Sequence, residues 1–284
     1  MEIEPEPEWH HLVPHLLKEK GVVFLLGTVD SGKSTLSRYI LREALSAGES
    51  ACLVDADVGQ SSLGPPGSVS MKQFRRLSDL EGRETDHVYF LGAVNPARMP
   101  LPLIRGTLLM VKRCRKRSKI VLVDTTGLIS GPIGLFLKKA KIEAVAPGHI
   151  IAIQKERELE PILEKAKGIC IDMLAPSAAV RPRGPKERER YRLHRFRQYL
   201  PTEYLRQHSI ETDRIECFFN GRPFVPVDED FVPNLVVGLN RGEETLALGV
   251  ITGRHASSLV IATPLADLDK IDRIVMGYIE TESI

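Results

Sequence analysis

The chain has 284 residues, enough for one large core plus a small second unit. With 43% apolar and 27% charged residues and a formal net charge of +2, it reads as an ordinary globular protein whose overall charge selects no partner. No apolar run approaches the roughly 20 residues needed to span a bilayer. The acidic, Pro-rich start MEIEPEPEW lacks the basic and apolar regions of a secretory signal. A cytoplasmic protein with no membrane partner is expected.

In chain order, residues 1–20 form an N-terminal helical segment, with a short helix over Trp9–Lys20 interrupted by Pro14. GVVFLLG is a buried strand, and Lys33–Leu45 is a helix with Leu36, Tyr39, Ile40 and Ala44 on one face. ESACLVDAD, HVYFLGAV, KIVLVDTTG, HIIAIQ and GICIDML are further strands. Helices are expected over Leu101–Arg117, Pro132–Lys141 and Arg157–Lys167. Strand–helix alternation with apolar strands predicts an α/β fold, a parallel sheet flanked by helices, over residues 21–212. From residue 213 to 284 the pattern changes to short strands without long helices (IECFFNG, NLVVGLN, TLALGVITG, SLVIATP, RIVMGYIE), which predicts a small antiparallel β domain.

Four cysteines, Cys52, Cys114, Cys170 and Cys217, form no CxxC pair and have no histidine at metal-ligand spacing. Reduced core thiols are expected, with Cys52 and Cys170 inside apolar strands, and no structural zinc site.

The segment Gly27-Thr28-Val29-Asp30-Ser31-Gly32-Lys33-Ser34-Thr35 matches the P-loop pattern GxxxxGK[ST], with a strand before it and a helix after. Such a loop wraps the phosphates of a nucleoside triphosphate with backbone amides at a helix N-terminus. Lys33 is expected on the β- and γ-phosphates and Ser34 on Mg²⁺. Asp124 closes the apolar strand IVLVD and is a second Mg²⁺ candidate. Asp55 and Asp57 close another strand, on the rim where ligands bind in such sheets. One of the two is expected to point away, and Asp57 is assigned to the site. DTTG (Asp124–Gly127) also fits a GTPase switch, but Gln154-Lys155-Glu156-Arg157 stands where the guanine-reading NKxD is expected. That favours ATP.

Arginines crowd the stretch RPRGPKERERYRLHRFRQYL, with Arg181, Arg183, Arg188, Arg190, Arg192, Arg195 and Arg197. Pro185 suits a helix start, after which Arg188, Arg192 and Arg195 share a face. A lid over the triphosphate, about residues 181–200, is expected, its arginines stabilising charge on the transferring phosphoryl group. A second basic run, Lys112–Lys119, is expected to be solvated surface at a helix C-terminus, with a nucleic-acid backbone contact as the alternative.

GTVDSGKSTL, DADVGQ followed by Pro66-Gly67, YFLGAVNP, VDTTGLISG and RERYRLHRFRQYL together resemble the polynucleotide 5′-hydroxyl kinases of the pre-mRNA cleavage and rRNA-processing type, in a minimal prokaryote-like form. The tail segments GLNRGEETLALGVI and TPLADLDKIDRIVMGYI are similar too. The resemblance implies transfer of the ATP γ-phosphate to a 5′-hydroxyl of RNA or DNA. It implies Asp57 as general base, Arg188 and Arg192 as the lid pair, and Gln60, Thr125 and Thr126 on the substrate side. It leaves as the alternative a non-catalytic ATP-binding scaffold of an RNA-processing complex. Eukaryotic members carry Asn-Thr-x-Gly-Trp where this chain has Asp124-Thr125-Thr126-Gly127-Leu128. Leu128 cannot stack on a base, an interaction worth about 1–3 kcal/mol.

Overall fold

The computed structural model describes residues 3–82, 84–164, 166–225, 232–255 and 257–281. A seven-stranded sheet lies at its centre, in the order β4-β3-β2-β5-β1-β6-β7. The strands are β1 (Gly21–Gly27), β2 (Ala51–Ala56), β3 (Ser68–Phe74), β4 (His87–Phe90), β5 (Ile120–Thr125), β6 (His149–Ile153) and β7 (Cys170–Leu174). The pairs β2–β5, β5–β1, β1–β6 and β6–β7 are parallel. The expected parallel sheet has one antiparallel strand near its edge: β3 runs antiparallel to both β2 and β4. The turn at Gly64-Pro65-Pro66-Gly67 sends the chain straight back beside β2, so no crossover helix is needed.

Alternation along β1 explains why both faces must be covered. Val22, Phe24 and Leu26 pack into one apolar cluster, Val23 and Leu25 into the other. The first cluster is closed by α3 (Pro100–Arg115) and α4 (Gly131–Val145), the second by α1 (Pro7–Glu19) and α2 (Lys33–Ser46). Each fully buried large aliphatic residue contributes about 1.5–3 kcal/mol. Two sequence expectations change here. Helix α1 is continuous through Pro14, whose ring sits on the exposed side of a helix that buries Trp9, Leu12, Val13 and Leu16. The helix expected over Arg157–Lys167 is a single turn, α5 (Glu160–Leu163), because Glu158 and Gln154 accept the amides of Lys155, Glu156 and Leu159 in a loop instead.

The last helix, α6 (Pro185–Tyr199), begins at Pro185 and leads into a second seven-stranded sheet. Its strands are β8 (Arg206–Glu211), β9 (Glu216–Phe219), β10 (Arg222–Phe224), β11 (Val236–Arg241), β12 (Glu244–His255), β13 (Ser258–Thr263) and β14 (Arg273–Met276). All its pairs are antiparallel except β9–β14. This sheet is fused to the first. Phe90, Phe196, Leu200, Val236, Leu248, Val250 and Ile279 form one apolar cluster drawn from β4, α6 and the second sheet. Glu244 at the start of β12 accepts from Arg113 of α3 and meets His87 of β4. Gly92 and Gly277 touch so closely that a Cβ on Gly277 would lie 2.2 Å from the Gly92 carbonyl oxygen. The basic run at the end of α3 is correspondingly tied down: Arg113 reaches Glu244, Arg115 donates to the Val145 and Ala146 carbonyls, and Arg117 pairs with Asp86.

Candidate functional site

The carboxyl ends of β1, β2 and β6 and the segment after β7 meet at a cavity of about 430 Å³. It is lined by Asp30, Ser31, Gly32, Lys33, Ser34 and Thr35 of the loop, by Glu4, Asp57, Gln60, Ser177, Arg181 and Arg183, and by apolar Ile3, Trp9, Val29, Ile153, Ala175, Ala179 and Val180. Cationic and apolar groups in one cavity suit a polyphosphate with a planar base attached.

The loop Gly27–Thr35 is built as a phosphate cradle. Gly32, at φ 93°, caps α2 in a conformation that other residues adopt only with strain, and the helix starts at once with Lys33. Lys33 is buried, and its ammonium donates to the Gly27 carbonyl at 3.1 Å, the Thr28 carbonyl at 2.5 Å and Ser31 Oγ at 3.2 Å. Burial pulls its pKa down, while Asp124, Asp57 and Asp30 pull it back up. Ser34 Oγ donates to Asp124 Oδ2 at 2.6 Å, joining the start of α2 to the end of β5.

The three acids are not equivalent. Asp55 is fully buried and spent on structure: it accepts from the Asp57, Ser62 and Leu63 amides and from the Ser61 and Ser62 hydroxyls. Asp57 is half-buried and lines the cavity. Its Oδ1 accepts the Gly59 and Gln60 amides at 3.0 and 3.1 Å, which fixes the carboxylate. Asp124 is buried, and burial first, then the Asp55 charge, push its carboxyl up to about 7. Its Oδ1 is a buried acceptor with no partner among the described residues. An orphaned carboxylate oxygen beside a serine hydroxyl is an oxygen donor set that fits a hard dication such as Mg²⁺.

The arginine helix is placed differently from a free lid. Arg188 Nη2 donates to Asp30 Oδ2 at 2.6 Å, and the Arg183 amide donates to the same oxygen at 3.0 Å. Below that contact, α6 is fastened to the loop that follows Asp57. Gln60 Nε2 donates to the Arg188 carbonyl at 3.4 Å, Tyr191 to Ser61 O, Arg195 to Gly64 O and Tyr199 to Leu63 O. Arg195, expected beside the triphosphate, is instead almost fully buried against that loop and Gln198. Arg188 and Arg192 are both half-buried and neither lines the cavity, whereas Arg181 and Arg183 do. Thr125 and Thr126 also lie away from the cavity. Both are buried; Thr125 Oγ1 donates to the Leu25 carbonyl, and Lys138 Nζ donates to Thr125 Oγ1 at 2.6 Å and to the Thr126 carbonyl. The Thr125 hydroxyl and the Thr126 carbonyl are engaged in holding the turn after Asp124.

Pattern reading missed Lys138 and Lys141, which do not line the cavity but stand behind it, within reach of the charges of Asp57 and Asp124. They lie on α4, one turn apart, with no solvent exposure. Burial drives both pKa values down, Lys138 well below its ordinary range and Lys141 to about 7, the latter opposed by Asp57, Asp55 and Asp124. Lysines at helical spacing read as a solvated face; only the positions of Leu137 and Ile142 around them hint that this face is turned inward.

The family described as mRNA cleavage and polyadenylation factor CLP1 P-loop matches residues 27–202. A Pyrococcus horikoshii protein named polyribonucleotide 5′-hydroxyl-kinase is 29% identical over 277 residues, 94% of this chain and 76% of that protein. A Thermococcus kodakarensis protein of the same name is 31% identical over 92% of this chain and 76% of its own length. A Pyrococcus furiosus protein, also so named, is 36% identical over 69% of this chain, a match spanning 55% of that protein. Among solved structures, the wild-type Clp1p–Pcf11p complex contains a chain of similar fold, with a TM-score of 0.75 over 96% of this chain and 78% of that one at 12% identity.

Proposed function

The chain belongs to the CLP1 P-loop family, and from that membership and the contents of the cavity we propose that it is an ATP-dependent polynucleotide 5′-hydroxyl kinase. The observation that carries this reading is Asp57. A carboxylate fixed by two amides shares one cavity with the P-loop lysine and serine, where a hydroxyl nucleophile would need a base.

In this reading the oxygen of a 5′-hydroxyl bonds to the γ-phosphorus as the bond from that phosphorus to the β–γ bridging oxygen breaks. The hydroxyl proton passes to Asp57, and ADP leaves. Lys33 neutralises the phosphates from within the loop, and the loop amides hold them at the α2 N-terminus. Ser34 and Asp124 would hold Mg²⁺, which supplies charge neutralisation between the phosphates. Arg188 stands at the cavity edge on Asp30 and is assigned to transition-state charge; Arg192, one turn further along α6, is its expected second. Gln60, which lines the cavity and whose amide nitrogen touches the α6 backbone, is the expected neighbour on the acceptor side. The lid function is assigned to residues 181–200, with its cavity-facing portion at Arg181 and Arg183.

ATP as donor is supported by the loop at Gln154. Its side chain accepts the Leu159 amide, and no carboxylate from that loop lines the cavity, so the loop itself offers a guanine no acidic partner. The acceptor is RNA or DNA, and Leu128 removes the aromatic platform that would favour tight stacking. The test offers 5′-hydroxyl RNA, single-stranded DNA and duplexes with γ-labelled ATP or GTP. Label is expected on the 5′ end of at least one oligonucleotide, with ATP preferred. Asp57→Asn should bind ATP and fail to transfer; transfer at the wild-type rate would sink the base assignment. ATP binding with no transfer to any oligonucleotide would instead favour a scaffold.

A further inference from the structure

At the opposite end of the sheet from the cavity, where β6 and β7 begin, three metal-ligating side chains meet. The ligand atoms of His15, His149 and Cys170 all lie within 4.8 Å of one another. They come from three elements, α1, β6 and β7. His149 and Cys170 are register partners on neighbouring parallel strands, and the His15 ring stands edge-on to His149 with centroids 5.8 Å apart. Cys170, expected in the core, is exposed; His149 is the buried member.

The surroundings suit a cation. Nε2 of His149 meets the Asp172 carboxylate, which orients the imidazole in the way that carboxylates orient metal-bound histidines. Asp172 lies two residues beyond Cys170 on β7, hence on the same face.

We propose that His15, His149 and Cys170 form a transition-metal site, with Zn²⁺ the best match to two imidazoles and one thiolate and with solvent completing the coordination. Imidazole and thiolate donors disfavour Mg²⁺ and Ca²⁺, so the site would not compete for the ion at Asp124. Its occupation would pin α1 to the edge of the sheet. Because α1 also carries Trp9 in the lining of the cavity, the ion would stiffen that wall from outside.

Co²⁺ titration of the tag-free full chain, stripped with a chelator and dialysed into Mg²⁺ buffer, tests this. One equivalent of Co²⁺ should give the visible bands of low-coordinate cobalt together with a near-ultraviolet thiolate-to-cobalt band, both abolished by added Zn²⁺. Cys170→Ser should lose the thiolate band, and His15→Ala should weaken binding by at least about tenfold, the lower end of what removing even an outer partner costs. Both positions are exposed, so folding should survive. Cobalt bound only at Ser34 and Asp124 would give no thiolate band. Absence of that band in the wild type, its survival in Cys170→Ser, or unchanged affinity in His15→Ala overturns the proposal.

Discussion

Arg188 and Asp30 form an ion pair 2.6 Å long that ties the arginine helix to the tip of the phosphate loop. Asp30 holds a left-handed backbone at φ 53°, a conformation Asp tolerates better than most residues. The guanidinium is thus stored at the loop before any triphosphate competes for it. Arg188→Ala is expected to lower kcat by about 10³-fold, the smaller end of what such arginines contribute, with ATP affinity changed far less. Arg188→Lys should recover only part of the loss, because a point charge cannot reproduce the guanidinium fork. Steady-state transfer kinetics with ATP titration checks both.

Arg195 predicts a different outcome from its neighbour. Its guanidinium is buried and donates to the Gly64 carbonyl, so it acts on the loop carrying Asp57 and not on phosphate. Arg195→Ala should leave that carbonyl to the Ser61 hydroxyl alone, strand the Gln198 side-chain oxygen and open space, costing about 1–3 kcal/mol. Hydrogen exchange should rise in residues 57–64, while the P-loop amides stay protected.

Lys138→Met keeps the length of the side chain and removes the donor to Thr125 Oγ1 and the Thr126 carbonyl. Leaving a buried carbonyl unsatisfied costs about 1–3 kcal/mol. Because these contacts fix the turn after Asp124, the Mg²⁺ concentration for half-maximal transfer should rise more than the KM for ATP. Equal shifts in both would assign Lys138 to general packing.

Lys141 supplies a pH signature. Its Nζ is buried without a hydrogen-bond partner among the described residues, and its pKa falls to about 7 in the folded chain, against about 10.4 when unfolded. Between those values the unfolded chain holds a proton that the folded chain has released, so this residue makes stability rise with pH across that window, by up to about 1.4 kcal/mol per pH unit. Below pH 7 both states hold the proton and the slope vanishes. Lys141→Met should flatten the profile and raise the melting temperature most at pH 7 and below. Denaturant unfolding from pH 6 to 10 reads both effects.

Much of this was legible from residue order because the parallel strands are uniform. GVVFLLG, ACLVDA and IVLVDT have no polar residue until the end that meets the ligand, so strand and rim acid are announced together. What escaped has a common cause. The strand β3, SVSMKQF, carries Lys72 and Gln73 yet lies inside the sheet between β2 and β4, where Lys72 is satisfied by the Asp79 and Gly82 carbonyls. Lys138, Lys141 and Arg195 look like solvated charges on helices, and only tertiary neighbours reveal them as interior groups. His15, His149 and Cys170 are far apart in the chain, so no spacing rule joins them. Asp55 and Asp57 are identical letters two positions apart; what separates them is the loop amides and hydroxyls that engage Asp55.

The contact of Gly92 with Gly277 bears on how this protein can be handled. The family match ends at residue 202, and a fragment cut there looks like a natural expression unit. Yet Gly92 O accepts the Tyr278 amide at 2.7 Å, and Phe90 N donates to Thr245 Oγ1 at 2.9 Å. Such a fragment would strip the cover from Phe90 and Phe196 and leave sticky, half-open kinase. Truncation at 202 should therefore yield aggregates, and the intact chain should melt in one transition. The tail is a wall of the catalytic half, and any fusion partner or affinity label belongs beyond it.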